Sequence, residues 1–387
     1  MEFNLPENTT LIADTARRYL KDNYSFNIYR QQLEQQDTAG ASRWSAMQEL
    51  GWFGLPFAES SGGFDGTLLD VAMVVRELGA ALCLDPYVDT VVAPGKLLEY
   101  VGSDSTLAML SDLVEGRSKL ACALYDYHAG YQVLTPSMKL NGRRLSGQKN
   151  FVPDGGFADT LLATALADGE LVVLAVPLAA CETIRHRALD GGRIANVLFD
   201  EVEITDEMIL ARGEKAEQAL SRLLAYLRVL DCARMYGAAG ALYQRTLEYA
   251  KTRKQFGVAI GSFQIIQHYL VDMFIDLQQL ESMLFMAAVK AESEDASQRE
   301  RASTAAKAYY ADKAVRIAQQ AIQIHGGIGV TEELDIGHYF RLITHCSLTH
   351  GDRAHHIKGF ALLDEVHQGR GRADPGRERD PVLGALE

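Results

Sequence analysis

Hydrophobic residues along this chain change period twice, and that change limits the folds open to it. From about Thr9 to Glu115 they recur mostly at spacings of three and four, as in Leu69, Val71, Ala72, Val75, Leu78 and Leu82, the mark of helices with one buried face. From about Ser118 to Leu210 they fall into short alternating runs cut by Asn141-Gly142, Asp168-Gly169 and Asp190-Gly191-Gly192. Such residues take the positive φ that tight hairpin turns require. From about Ala216 to Val366 the helical spacing returns, with four long candidates at roughly 216–251, 262–292, 300–325 and 352–366. Thr67 and Ser262 stand where helix caps are wanted. The patch Ala238, Ala239, Gly240, Ala241 has side chains small enough to let a second helix approach closely.

The expectation is an α+β chain, mainly α. It comprises a helical N-terminal domain over 1–116, a small middle β-domain over 117–213, a C-terminal four-helix bundle over 214–366, and a flexible tail over 367–387. The 387 residues suffice for two or three domains. With 51 acidic against 38 basic residues, net −13, a nucleic-acid partner is not expected. Five scattered cysteines fit reduced thiols, not a disulfide framework or a zinc site. MEFNLPENTT has no basic stretch ahead of an apolar run, and the longest apolar run, 171–181, is about half a membrane span. A cytoplasmic protein without a membrane span is expected.

Two short cassettes stand out among the C-terminal helices. TRKQFG at 252–257 combines a permanent cation with a planar fork of donors, Arg253, with Phe256 and a chain-turning Gly257. QIHGGIG at 323–329 places Gln323 beside Gly326 and Gly327, where backbone N–H groups lie open to a ligand. Alone, each reads as a helix end with solvated charges or a glycine stop. Together, in this order and at this separation, they resemble the pair by which acyl-CoA dehydrogenases hold the adenosine half of FAD.

The order of helices, β-domain and bundle is also that of acyl-CoA dehydrogenases, and the resemblance runs from QELGWFGLP at 48–56 to about residue 366. It implies FAD as cofactor, an acyl-CoA substrate, and Arg253, Phe256, Gln264, Gln323, Gly326 and Gly327 as contacts to the FAD of an adjacent subunit. It also implies Asp231 and Arg234 as residues lining the acyl-CoA channel; one helical turn apart, they read otherwise as an i,i+3 ion pair.

Three departures touch the flavin's own side. GQKNFVPDGG at 147–156 resembles the stretch that packs an aromatic-x-Thr on the isoalloxazine; Phe151 keeps the aromatic, but Pro153 replaces the threonine and offers neither hydroxyl nor N–H. LYDYHAGYQVL at 124–134 lacks the family's hydroxyl and carboxylate ligands and is shorter. At the position of the family's catalytic glutamate stands His350, and at its second known location Ala233. His350 is a low-ranked base candidate. Asp352 reads as the N-cap of the last helix, with a flavin contact as the second reading. His345, His350, His355 and His356 are not expected to hold a metal, because neighbouring side chains on a helix diverge.

The resemblance, with its losses on one side only, implies a base-lacking subunit. Such a chain completes a homologous partner's FAD site in a heterotetramer, as in steroid-type acyl-CoA dehydrogenases, and the complex passes electrons to an electron-transfer flavoprotein. The alternatives are a self-sufficient homotetramer using His350, a non-catalytic scaffold homologue, and a flavin oxidase or monooxygenase on the same fold.

Overall fold

Thr67 opens its helix with a capping box: the Asp70 backbone N–H donates to Thr67 Oγ1 at 3.2 Å, and the Thr67 N–H donates to the Asp70 carboxylate at 2.9 Å. A cap of this kind contributes about 1 kcal/mol. In the computed structural model, which describes residues 5–34, 41–127 and 130–367, that helix is the fourth of six before the first strand. They are α1 (Glu7–Asn23), α2 (Phe26–Glu34), α3 (Ala41–Glu49), α4 (Leu68–Ala80), α5 (Ala93–Val101) and α6 (Asp104–Val114). The tail expected after His367 lies outside the described residues.

Eight strands follow: β1 (Leu120–Ala123), β2 (Lys139–Asn141), β3 (Arg144–Pro153), β4 (Thr160–Ala167), β5 (Glu170–Pro177), β6 (Glu182–Arg187), β7 (Arg193–Glu203) and β8 (Ile209–Arg212). Their order is β6-β7-β3-β2-β4-β5-β8, with β1 also on β4. The hairpin at Asp168-Gly169 forms as expected, with φ of +52° and +87° between β4 and β5. β1 lies opposite 160–163 and β2 opposite 166–167, both parallel to β4 and on the same edge of it. The chain between them therefore leaves that edge and returns to it.

Alternation along the strands divides two cores. Leu161, Ala163 and Ala165 of β4 and Val172, Leu174 and Val176 of β5 face the interior of the sheet domain. Leu162 and Val173 point the other way, into the core made by the helices. The sheet is thus clamped against the helices through one face.

The C-terminal part holds α7 (Gly213–Thr252), a small hairpin of β9 (Lys254–Gln255) and β10 (Val258–Ala259), then α8 (Gln264–Ala291), α9 (Ala296–His325), α10 (Ile336–Leu348) and α11 (Arg353–His367). The four expected long helices are present, and α10 lies between the third and fourth. Close helix approach occurs at Gly79 of α4 and Gly237 of α7, slightly before the expected patch. A Cβ at Gly237 would sit 1.8 Å from the Arg76 carbonyl oxygen, and one at Gly79 2.2 Å from that of Arg234. At Gly240 a Cβ would meet nothing within 4 Å.

Candidate functional site

The two cassettes sit at helix ends that are in contact. Arg253 is the C-cap of α7, its N–H donating to Tyr249 O at 2.8 Å. Gln255 then pairs with Val258 and Lys254 with Ala259. The two residues between, Phe256 and Gly257, have φ of +54° and +84°, the pattern of a two-residue hairpin turn. Gly257 therefore closes a hairpin and does not end the helix. Phe256, strained by its positive φ, projects its ring with 92% exposure. Ser262 is not the cap of α8: its Oγ donates to Ala259 O at 2.7 Å, Phe263 holds the cap position, and Gln264 is the exposed first residue of the helix.

The rings of Tyr249 and His325 stack at 4.3 Å, which locks the end of α7 to the end of α9. This contact sets Gln323, Gly326 and Gly327, all exposed, beside the hairpin. A Cβ on either glycine would meet nothing within 4 Å. The Arg253 guanidinium is exposed and, among the described residues, has no hydrogen-bond or ion-pair partner. Cation, ring, amide and open backbone all face outward.

The second region is a junction where α7, α9, α10 and the sheet domain converge, called the crevice for its place between them. Asp231 Oδ2 accepts from Lys307 Nζ at 2.9 Å, Thr349 Oγ1 at 3.0 Å and His350 Nδ1 at 2.9 Å. Lys307 is wholly buried and also donates to the carbonyls of Cys346, at 2.7 Å, and Thr349. Burial alone would raise the Asp231 carboxyl, but the Lys307 and His350 charges and hydrogen bonds outweigh it and hold the group well below the usual carboxylate range. With Asp231 ionised, Nδ1 of His350 carries the hydrogen of this bond.

His350 and Gly351, with φ of +51° and +112°, make the sharp turn between α10 and α11. Asp352 takes the His355 N–H at 2.8 Å, as an N-cap does. His356 Nε2 lies 3.1 Å from His350 O; burial, then the nearby Arg228 and Lys307 charges, push this imidazole down to about 2. The four histidines turn to different partners: His345 to Asp190, His350 to Asp231, His355 to the Tyr131 ring and His356 to a carbonyl.

Arg234 does not pair with Asp231, contrary to the i,i+3 expectation. Its Nη2 donates to Asp190 Oδ2 and to Cys83 O, each at 3.2 Å. One guanidinium on α7 thereby ties the turn before β7 to the chain after α4. His345 Nε2 lies 4.0 Å from the other Asp190 oxygen.

The excursion between β1 and β2 crosses this crevice. The Tyr125 ring lies 6.4 Å from the His350 ring, and Tyr131 5.2 Å from His355. A buried Lys149–Asp126 ion pair anchors the segment, and Asp126 also accepts from Ser137 Oγ at 3.1 Å and the Met138 N–H at 3.2 Å. Phe151 stands 67% exposed at a bulge of β3, its N–H on Asn196 Oδ1 at 3.3 Å; Pro153 sits opposite Ile194 of β7.

Family models of the N-terminal and C-terminal domains of acyl-CoA dehydrogenases match residues 6–106 and 216–358. This chain belongs to the acyl-CoA dehydrogenase family. The probable acyl-CoA dehydrogenase YngJ of Bacillus subtilis is 27% identical over 359 residues, covering 88% of this chain and 93% of that protein. Among solved structures, a variant of the Tcur3481-Tcur3483 steroid ACAD superposes with a TM-score of 0.84 at 25% identity, covering 95% of this chain and 99% of that one. The FAD complex of PigA shares the fold, with a TM-score of 0.84 at 22% identity over 95% of this chain and 100% of that one. Among the described residues no helix is long and apolar enough to cross a membrane.

An acyl-CoA dehydrogenase works with FAD, and the residues here fit the two ends of that cofactor unequally. The outward set suits an ADP moiety: an unpaired guanidinium, an exposed ring and glycines with free space above them. On the family's pattern the positions expected to face the isoalloxazine suit it less well: Pro153 has no N–H to give, and the position expected to hold the glutamate holds His350, bonded to Asp231. Lys307, Asp190 and Tyr125 escaped the sequence reading. Lys307 leaves one legible trace, a charge on the buried stripe Ser303, Lys307, Tyr310, Ala314, and a cation on such a face implies a buried partner.

Proposed function

We propose that this chain is a subunit of an FAD-dependent acyl-CoA dehydrogenase that forms the α,β double bond of an acyl-CoA thioester beside a homologous, base-bearing partner. Bound FAD supplies the hydride acceptor for that reaction. In a heterotetramer, Arg253, Phe256, Gln264, Gln323, Gly326 and Gly327 clamp the ADP end of the partner's FAD, and an electron-transfer flavoprotein takes the electrons onward. The observation that carries this reading is the asymmetry: the nucleotide-facing set is exposed, with Arg253 unpaired among the described residues, while position 350 lacks a carboxylate and its imidazole is tied to Asp231.

Abstraction of a thioester α-proton needs a positioned base, and neither His350 nor Ala233 is a carboxylate. The two-component name of the Tcur3481-Tcur3483 steroid ACAD is in keeping with a divided site. The word steroid in that name supports a bulky steroid-type acyl group as the substrate proposed here, and the enzyme is proposed to be cytoplasmic. The test is expression of the chain alone and together with a homologous partner that keeps the glutamate. Expected is little flavin alone and one FAD per pair of chains in the complex. Flavin content unchanged by Arg253→Ala would favour a scaffold instead.

One observation favours a second reading. The Asp231–His350 hydrogen bond orients the imidazole through Nδ1, as the carboxylate partner of a histidine general base does. On that reading the chain works as a homotetramer: alone it is yellow, bleaches with acyl-CoA, and stops bleaching as His350→Gln.

A further inference from the structure

Helix α8 is apolar on two sides. Leu270, Met273, Leu277, Leu280 and Leu284 are buried in the core. On the outside, Ile265, Val271, Phe274, Ile275, Met286 and Val289 stand exposed. A surface helix turns a polar face to water, and one that is apolar on both sides belongs under cover.

A groove of about 290 Å³ runs nearby, between α9 and α11. The Arg301 guanidinium lies 4.5 Å from the Phe360 ring at one end, and Arg353 Nε lies 3.7 Å from Asp312 Oδ1 at the other. The two helices are therefore antiparallel there, and from Arg301 to Asp312 α9 rises about 16 Å, or three turns. Tyr309, Ile357 and Phe360 line the groove together with Ala305 and Ala308, whose side chains are short enough to let a third helix approach.

Ridge and groove share one face. The Tyr309 hydroxyl, on the groove, donates to Gln279 Oε1 of α8. Ile275 stands one turn before Gln279 and Met286 two turns after it, on the same stripe of that helix. The charges are complementary as well. The groove carries Arg301 and Arg353 at its ends, and Asp312 is the one carboxylate among its lining residues. Asp272, exposed on α8 one turn before Ile275, makes no ion pair among the described residues. A ridge and a matching groove on one surface satisfy the condition for a two-fold contact, in which each copy's ridge enters the other's groove.

We propose that this face joins two copies of the chain, with α8 of each seated in the α9–α11 groove of the other. The proposal deepens the tetramer reading by assigning the surface through which two copies of this chain meet.

The test is sedimentation velocity of the full chain purified alone at micromolar concentration, where dimers are expected. Ile275→Glu puts a charge on the ridge and Ala308→Trp fills the groove; each should weaken association by about 10- to 100-fold. Ile184→Glu, at an exposed position of β6, should leave it unchanged. Ile275 is exposed, so its variant keeps the test decisive if Ala308→Trp fails to fold. A monomeric wild-type chain overturns the proposal, even where a homologous partner binds the same face. A wild-type dimer left intact by a folded Ile275→Glu overturns it too. The flavin content of these samples is a separate readout: one FAD per chain in the isolated dimer contradicts the divided site and leaves this interface standing.

Discussion

The outer cassettes and the inner crevice differ in what their polar groups have left to give. At the end of α7 and α9, Arg253 has no side-chain partner among the described residues, Phe256 is almost wholly exposed, and two glycines look onto open space. In the crevice, Asp231, Lys307, His350, Arg234 and Asp190 are already bonded to one another. A surface of unsatisfied groups is built for something that arrives; a saturated network is built to hold itself in place. On the proposed reading, the first is the family's nucleotide clamp and the second its altered catalytic corner.

The largest expected effect comes from breaking the saturated side. Lys307→Met leaves Asp231 buried without its cation and the Cys346 and Thr349 carbonyls without the Lys307 donor. The expected loss is about 3 to 5 kcal/mol of stability, read from chemical denaturation. A loss below about 1 kcal/mol would mean that the crevice is wetter and looser than its geometry implies.

Arg253→Ala tests the open side, where stability should hardly move because nothing among the described residues is bonded to that guanidinium. Its expected cost falls on flavin retention by the co-expressed complex, about 10- to 100-fold in FAD affinity, measured by flavin release on dilution. Equal effects of the two variants on folding would erase the contrast.

Acidification should weaken the inner region. His356 has a folded pKa of about 2 against roughly 6.5 unfolded, so the unfolded chain binds the proton more readily. Its contribution is therefore complete above about pH 6.5 and is lost as pH falls towards the folded value. Between about pH 7.5 and pH 5 this amounts to about 2 kcal/mol. His325 and His338, both lowered by burial, act in the same direction. The denaturation midpoint should drop over that interval, and His356→Gln should flatten the slope.

The smallest effect is expected at the edge of the crevice. Asp352→Ala removes only the N-cap of α11, for about 1 kcal/mol. A larger change in flavin content than in stability would give Asp352 a second role.

Legibility followed the same divide. The cassettes, the Asp168-Gly169 hairpin, the Thr67 cap and the long helices are local patterns, and each was readable from neighbouring residues. The mode of turning at Gly257 was not, because a two-residue hairpin after a helix and a helix-ending glycine share the same letters. α10 escaped because it begins without a side-chain cap hydrogen bond and follows a short glycine-rich turn. The crevice was least legible: Lys307 meets Asp231 across 76 positions and Arg234 meets Cys83 across 151, and such pairings leave no period in the chain. Reading Asp231 and Arg234 as partners for each other was the natural local inference, and the fold gave each a distant partner instead.

The most direct measurement of the divided site is the flavin carried by the chain purified as its only component, counted by absorbance against protein. The account predicts a nearly colourless protein that gains one FAD per two chains only when a homologous, glutamate-bearing partner is present. A protein that emerges alone with one FAD per chain, and bleaches on addition of an acyl-CoA, would contradict it.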